Sequence, residues 1–144
     1  GYNLRSTEIN AVAGIQQLKK LPFLINQRRK NASIYQNIFK NSKFILQKEI
    51  GFSSSFWLTF IIKKEFKIKR SYLIKKLRKI GVECRPIVSG NFLKNKVCKY
   101  LNFKVHGKLN NADFISENGF AIGNNHHDLS KNLKKLKLFF DNIR

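Results

Sequence analysis

The chain has 144 residues, of which 42% are hydrophobic and 13 are phenylalanine. That is one domain's length with enough apolar material for a core, which excludes a disordered polybasic tail. No run of about 18 apolar residues reads as a membrane-spanning helix, and the polar, charged opening residues do not form a signal peptide.

The formal net charge is +21. One reading is a nucleic-acid or anionic-surface partner. The other is drift toward Lys, Asn, Ile and Phe, all written with A/T-rich codons. Only 7 of the 29 basic residues are arginine, and the lysines are scattered along the chain. Proteins that read bases and phosphates lean on arginine's bidentate fork, so solvated faces are the favoured reading and nucleic acid a poor one. Cys84 and Cys98 read as reduced thiols of a cytoplasmic protein, ahead of a disulfide or a metal pair. Methionine is absent and the chain opens Gly-Tyr-Asn-Leu-Arg, so a piece of a longer protein is expected.

In chain order, Ser6 and Thr7 precede Glu8, Ala11, Val12, Ile15, Leu18 and Leu21. This spacing is helical, with hydroxyl caps and an early acid suited to the helix dipole. Gly14 in mid-helix predicts close packing there. Pro22 predicts a break. A second helix follows from about Phe23 to Phe39, with Leu24, Ala32, Tyr35 and Phe39 inward and Gln27, Arg28, Arg29 and Lys30 wet. Residues 41–55 read as irregular. Residues 56–63, FWLTFIIK, read as a buried strand. Residues 67–80 are amphipathic and end at a capping glycine, Gly81.

Residues 82–88 read as the next strand, 94–101 and 110–118 as short helices, and 120–122 as a strand closed by Gly123. Asp128 caps a last helix with Leu129, Leu133, Leu136 and Phe140 on one face. The order predicts an α/β or α+β layer, a small sheet with helices packed on it.

Two polar turns stand out. In GVECRPIVSGN (81–91), Pro86 pushes Arg85 toward extended geometry, and Gly90 permits a positive φ. Arg85 on a rigid strand end is a fork for carboxylate or phosphate. The second turn is ENGFAIGNN (117–125). Blander readings stand beside these: Asn3 as a helix cap, Arg85 as a surface ion-pair partner of Glu83 or Glu117, and Ser89-Gly90-Asn91 as an ordinary turn. His126-His127 does not read as a metal pair, because adjacent strand residues face opposite ways and no ligand cluster completes a site. His106 reads as a loop residue.

The run GYNLRSTEINAVAGIQQLKKL, the segment RPIVSGNFLKN and NADFISENGFAIGNNHH together resemble the C-terminal part of the DegT/StrS family. Its members are pyridoxal-phosphate-dependent nucleotide-sugar aminotransferases and dehydratases of deoxysugar and O-antigen biosynthesis. The likeness covers essentially all 144 residues. Ser-Gly-Asn after Arg-Pro is closer to the branch that removes the 3-hydroxyl of GDP-4-keto-6-deoxymannose. The resemblance implies the C-terminal small domain of a type I aminotransferase fold, in a cytoplasmic homodimer that binds a nucleotide-sugar substrate. It implies that Asn3, reaching across the interface, meets the phosphate of pyridoxal or pyridoxamine phosphate; Arg5, two residues on, is expected to point the same way if that segment is extended, because strand side chains alternate faces. It implies that Arg85, Ser89 and Asn91 line the substrate pocket, and that Glu117, Asn118 and Asn124 form a second polar loop near the sugar.

The resemblance also implies that the catalytic Lys or His sits on an N-terminal cofactor domain outside these residues, so this chain by itself is inert. Such a piece is expected to expose apolar residues on its first helices, 6–39. The competing readings are a nucleic-acid module and a degenerate, non-catalytic fragment.

Overall fold

Five phenylalanines from five elements decide the architecture. Phe39, Phe44, Phe60, Phe120 and Phe140 are each 2% exposed or less. Each contributes about 1.5–3 kcal/mol by leaving water. The rings meet edge to face or stacked, with Phe39–Phe60 centroids 5.0 Å apart and Phe60–Phe120 at 5.3 Å, geometries that suit the aromatic quadrupole.

The computed structural model describes residues 5–143; Asn3 lies outside them. Helix α1 spans Glu8–Phe39, followed by strands β1 (Phe44–Leu46) and β2 (Trp57–Ile62) and helix α2 (Arg70–Lys79). Strand β3 (Cys84–Arg85), helix α3 (Asn110–Asn118), strand β4 (Gly119–Gly123) and helix α4 (Ser130–Asn142) complete the order. The sheet runs β1-β2-β4-β3 and is antiparallel at every pairing. Leu58 and Cys84 both pair with Ile122, and Phe60 with Phe120. These residues are buried, so this row faces the core under α1 and α4. The alternate row, Thr59–Ala121–Arg85, belongs to the other face by the two-residue strand period.

Helix α1 is one helix of 32 residues with Pro22 inside it, where the sequence predicted two helices and a bend. Proline removes one N–H from the ladder. The carbonyl it frees, that of Leu18, lies in an exposed stretch open to water. Asn31, Tyr35 and Phe39 recur every fourth residue and bury one stripe. The N-terminal half is bare: Ile9 is 81% exposed and Leu18 65%, as expected for this helix. Gly14 has nothing within 4 Å of a Cβ placed on it, so the expected close packing is not there.

Three other expectations change. β1 emerges inside the stretch read as irregular, pairing Phe44 with Ile62. The 82–88 strand shrinks to Cys84–Arg85, because Pro86 has no N–H to continue the ladder. The 94–101 helix is instead two 3₁₀ turns, Phe92–Lys94 and Lys96–Tyr100. Asn91 and Asn95 cap them, each accepting an N–H from two residues on. By contrast α3 spans its expected residues, and Gly81 leaves α2 with φ +80°. Asp128 accepts from Ser130 N–H at 2.8 Å, opening α4. Among the described residues no helix is long and apolar enough to cross a membrane.

Candidate functional site

Arg85 closes the Thr59–Ala121–Arg85 row at the β3 edge of the sheet, exposed where Ala121 beside it is buried. Its guanidinium pairs with Glu83 at 2.5 Å, with both side chains largely exposed. A groove of about 570 Å³ runs beside it, lined by Phe56, Trp57, Glu83, Arg85, Leu129 and Asn132. Pro86 then ends the strand and the chain turns sharply. Gly90 N–H donates to Ile87 O at 2.9 Å, with Val88 at φ +46° and Gly90 at φ +62°. Gly90 is required twice over: φ is positive, and a Cβ there would lie 2.5 Å from Ser116 Oγ. Val88, β-branched and 80% exposed, holds a left-handed conformation that costs energy. Ser89 is exposed at the tip.

Behind the tip, the polar side chains are engaged. Asn91 is 8% exposed; its Nδ2 donates to Asp113 Oδ1 at 2.9 Å and its Oδ1 accepts from Leu93 N–H at 3.0 Å. Lys94 Nζ bridges Asp113 at 2.8 Å and Glu117 at 2.9 Å. Bonds from Lys94 and then Asn91 hold the Asp113 carboxyl below the ordinary aspartate range. The Lys94 ammonium is held above its ordinary range, first by Asp113 and then by Glu117. Asn118 Nδ2 donates to Phe114 O one helical turn back.

The second polar loop is a clip. Asn124 is 3% exposed; its Nδ2 donates to Ser55 O at 2.7 Å and Arg28 O at 2.9 Å. Its Oδ1 accepts from Asn31 Nδ2 at 3.1 Å. Asn31, fully buried on α1, also donates to Asn125 O and His127 O and accepts from Gln27 Nε2 and Leu129 N–H. Nothing in the sequence flagged Asn31, because one polar residue on an amphipathic helix looks solvated. Lys94 and Asp113 were also not singled out, whereas the ion pair of Arg85 with Glu83 was among the sequence readings. The two histidine rings are 4.3 Å apart in an exposed bend, so the strand-alternation argument against a metal pair does not hold here. Among the described residues no group of three or more His, Cys, Asp or Glu could hold a metal.

Of the expected wet side of α1, Gln27, Arg28 and Arg29 are half-buried and Lys30 is exposed. Arg28 lies over the Phe56 ring and Arg29 over Phe52. Arg29 also donates to Ser53 O and Phe52 O. That strap shapes a second groove of about 310 Å³, lined by Tyr35, Gln36, Gln47, Ser53 and Trp57. Both cysteines are free thiols; burial pushes Cys84 up to about 11. Arg5 is exposed just before α1, whose first turn is capped by Thr7 Oγ1 accepting from Asn10 N–H.

Of the expected site residues, the fold joins Asn91 and Glu117 through Lys94 and Asp113. Arg85 and Ser89 lie at the two ends of one short turn. Asn118 and Asn124 point their amides into the protein's own backbone, and Arg5 stands at the start of α1, away from the assembled turn in the chain.

Known proteins share this fold. A GDP-4-keto-6-deoxy-D-mannose 3-dehydratase of Yersinia pseudotuberculosis is 46% identical over 138 residues, which are 94% of this chain and 35% of that protein. The Escherichia coli GDP-4-keto-6-deoxy-D-mannose-3-dehydratase, solved with bound hydrated PLP, superposes with a TM-score of 0.91 at 43% identity. The match covers 97% of this chain and 36% of that one. A variant of such a dehydratase with bound GDP-perosamine gives 0.92 at 43% identity, over 97% of this chain and 37% of that one. The chain therefore spans about a third of the length of these relatives. The family profile matches residues 1–134, and the chain belongs to the DegT/DnrJ/EryC1/StrS aminotransferase family.

Proposed function

We propose that these residues form the small, substrate-side domain of a cytoplasmic, homodimeric enzyme that removes the 3-hydroxyl of a GDP-4-keto-6-deoxyhexose. Such an enzyme would serve deoxysugar and O-antigen biosynthesis. The observation that carries this is exposed Arg85 at the β3 edge of the sheet, lining a groove and entering a tight turn, in a chain 43% identical to a dehydratase that holds GDP-perosamine.

The chemistry of the residues fits that ligand. A nucleotide sugar offers a diphosphate, hydroxyls and a base. Arg85 presents a cationic fork for an oxyanion. Its only ion-pair partner among the described residues is exposed Glu83, so a ligand phosphate can compete for it at little cost. Ser89 at the tip offers a hydroxyl that donates or accepts. Asn91 anchors the exit of that turn, with Glu117 joined to it through Lys94, whereas Asn118 and Asn124 bond to backbone elsewhere in the fold.

The cofactor would be pyridoxal or pyridoxamine phosphate. For its phosphate the described residues offer exposed Arg5 beside the start of α1, where helix amides and dipole favour an anion; Asn3, the other expected donor, lies outside the described residues. When bound, the cofactor supplies the electron sink for breaking the sugar C3–O bond. The residues of this chain hold and orient the substrate; the acid–base group belongs to another domain of the enzyme. Both partners of the dimer would complete each site, with Asn3 crossing between them.

The test is Arg85→Ala in the active enzyme. Affinity for the nucleotide sugar should fall by about tenfold or more, the loss of one charge-assisted contact. Unchanged affinity and turnover would remove Arg85 from the pocket. Release of amino-sugar instead of deoxysugar would place the protein among the aminotransferases. Salt-sensitive binding of oligonucleotides by the wild-type protein would favour the nucleic-acid reading instead.

A further inference from the structure

We infer that Lys94 and Asp113 are positioning residues that hold the Ile87–Gly90 turn in its left-handed conformation through Asn91 and α3. The inference rests on the reading of that turn as substrate-facing, and assigns roles to two residues that do not themselves face the ligand.

The turn is over-determined from one side only. Val88, at φ +46° and 80% exposed, gains no packing that explains its conformation. A β-branched residue left to itself would leave that region. What holds it lies downstream. Gly90 sits against Ser116 too closely for any Cβ. Ile87, at the other end of the turn, packs on Gly119, where a Cβ would come within 2.6 Å of Ile87 Cδ1. Both contacts pin the turn to α3 and the residue after it. Asn91 then locks the exit, buried and bonded at 2.9 Å to Asp113 on the same helix.

Asp113 can serve Asn91 only while its own carboxylate is fixed. Lys94 does this, and because Lys94 lies three residues beyond Asn91, its bridge to Asp113 and Glu117 closes a ring: Asn91, the 3₁₀ turn Phe92–Lys94, then α3 and back. The ring ties the turn's exit to one face of α3. Rigid support of this kind is what a recognition group needs to meet a ligand without reordering.

The experiment measures amide hydrogen exchange in the wild-type protein, Lys94→Met, Asp113→Asn and Asp113→Ala, with GDP affinity as a second readout. Lys94 is half-exposed, so its loss does not threaten the core. Opening of the turn should expose Gly90 N–H. Its exchange should accelerate about tenfold in Asp113→Ala, the scale of a lost hydrogen bond to a charged acceptor. Lys94→Met should accelerate it less. Asp113→Asn keeps an oxygen for Asn91 and should recover part of the protection. Phe120 and Ile122 amides in β4 should not change. Gly90 exchange unaltered in both Lys94→Met and Asp113→Ala would overturn the inference. So would acceleration spread equally over β4. Faster exchange at Gly90 with unchanged GDP affinity would leave the clamp standing and overturn the substrate reading of the turn.

Discussion

Two polar loops flank the sheet, and they are built on opposite principles. The clip at Asn31 and Asn124 is buried and made of neutral amides, and both side chains are bonded at the oxygen and the nitrogen. The turn from Arg85 to Asn91 keeps its charged and hydroxyl groups in water and buries only its rear anchor, Asn91. Polar residues in the first loop hold the fold together; in the second they are left available. Polarity alone does not tell the two apart, whereas the count of internal partners does. The comparison predicts that stability and binding separate: the clip should carry stability and the tip of the turn should not.

Asn124→Ala should do the most damage. It leaves Asn31 without one acceptor and the Arg28 and Ser55 carbonyls without their donor, in a buried setting. Stranded buried groups of this kind cost about 2–4 kcal/mol in total. Ser55, held at φ +50°, also loses the bond that fixes its carbonyl. Urea unfolding should show the loss at unchanged m-value. Asn31→Ala should cost a similar amount, and the double variant much less than the sum, because the two residues share one network. Additive losses would mean that the clip is two independent contacts.

Gly119→Ala comes next. The added methyl meets Ile115 O at 2.5 Å and Ile87 Cδ1 at 2.6 Å. Backbone cannot yield as a flexible side chain does, so overpacking should cost about 1–3 kcal/mol. Thermal unfolding measures it, and no loss would show that α3 can slide away from the turn.

What the sequence disclosed follows the same division between local and distant causes. β2, α3 and α4 were legible because period and capping act within a few residues. β1 was not: three residues carry no period, and Phe44 becomes a strand residue only by pairing with Ile62. The helix through Pro22 was hidden because a proline's cost depends on whether its surroundings are wet. The residues of the turn were legible as types, with Arg85 extended and Gly90 at positive φ as expected. Their partners were not, since Asn91 meets Asp113 22 residues later and Asn31 meets Asn124 93 residues later. Such pairings are set by topology and leave no local signal.

Acid should loosen the turn and spare the clip. Asp113's pKa is lowered by Lys94 and Asn91 in the fold. A lowered carboxylate stabilises above its unfolded pKa, and the contribution is lost as pH falls through the folded value, here below about pH 4. The groups facing Asp113 are Lys94, which stays charged, Asn91, which does not titrate, and Glu117 on the far side of Lys94. Protection at Gly90, corrected for intrinsic exchange, should therefore fall in that window. Amides held by Asn31, such as Leu129, should keep theirs until global unfolding.

The smallest effect on stability should come from the residue with the largest role in binding. Arg85 ends a two-residue edge strand, and its one ion pair among the described residues joins side chains that are 65% and 73% exposed. Solvated pairs of this kind gain little, because water screens them and both long side chains lose freedom. Arg85→Ala should leave the unfolding midpoint where it was, within about 0.5 kcal/mol, while GDP affinity drops. Differential scanning calorimetry beside a binding titration reads both quantities on one sample. A large loss of stability would show that Arg85 supports the sheet edge as the clip supports α1, and the contrast between the two loops would disappear. Unchanged stability with weakened binding fits a guanidinium that folding leaves exposed at the strand end and that a ligand anion can reach.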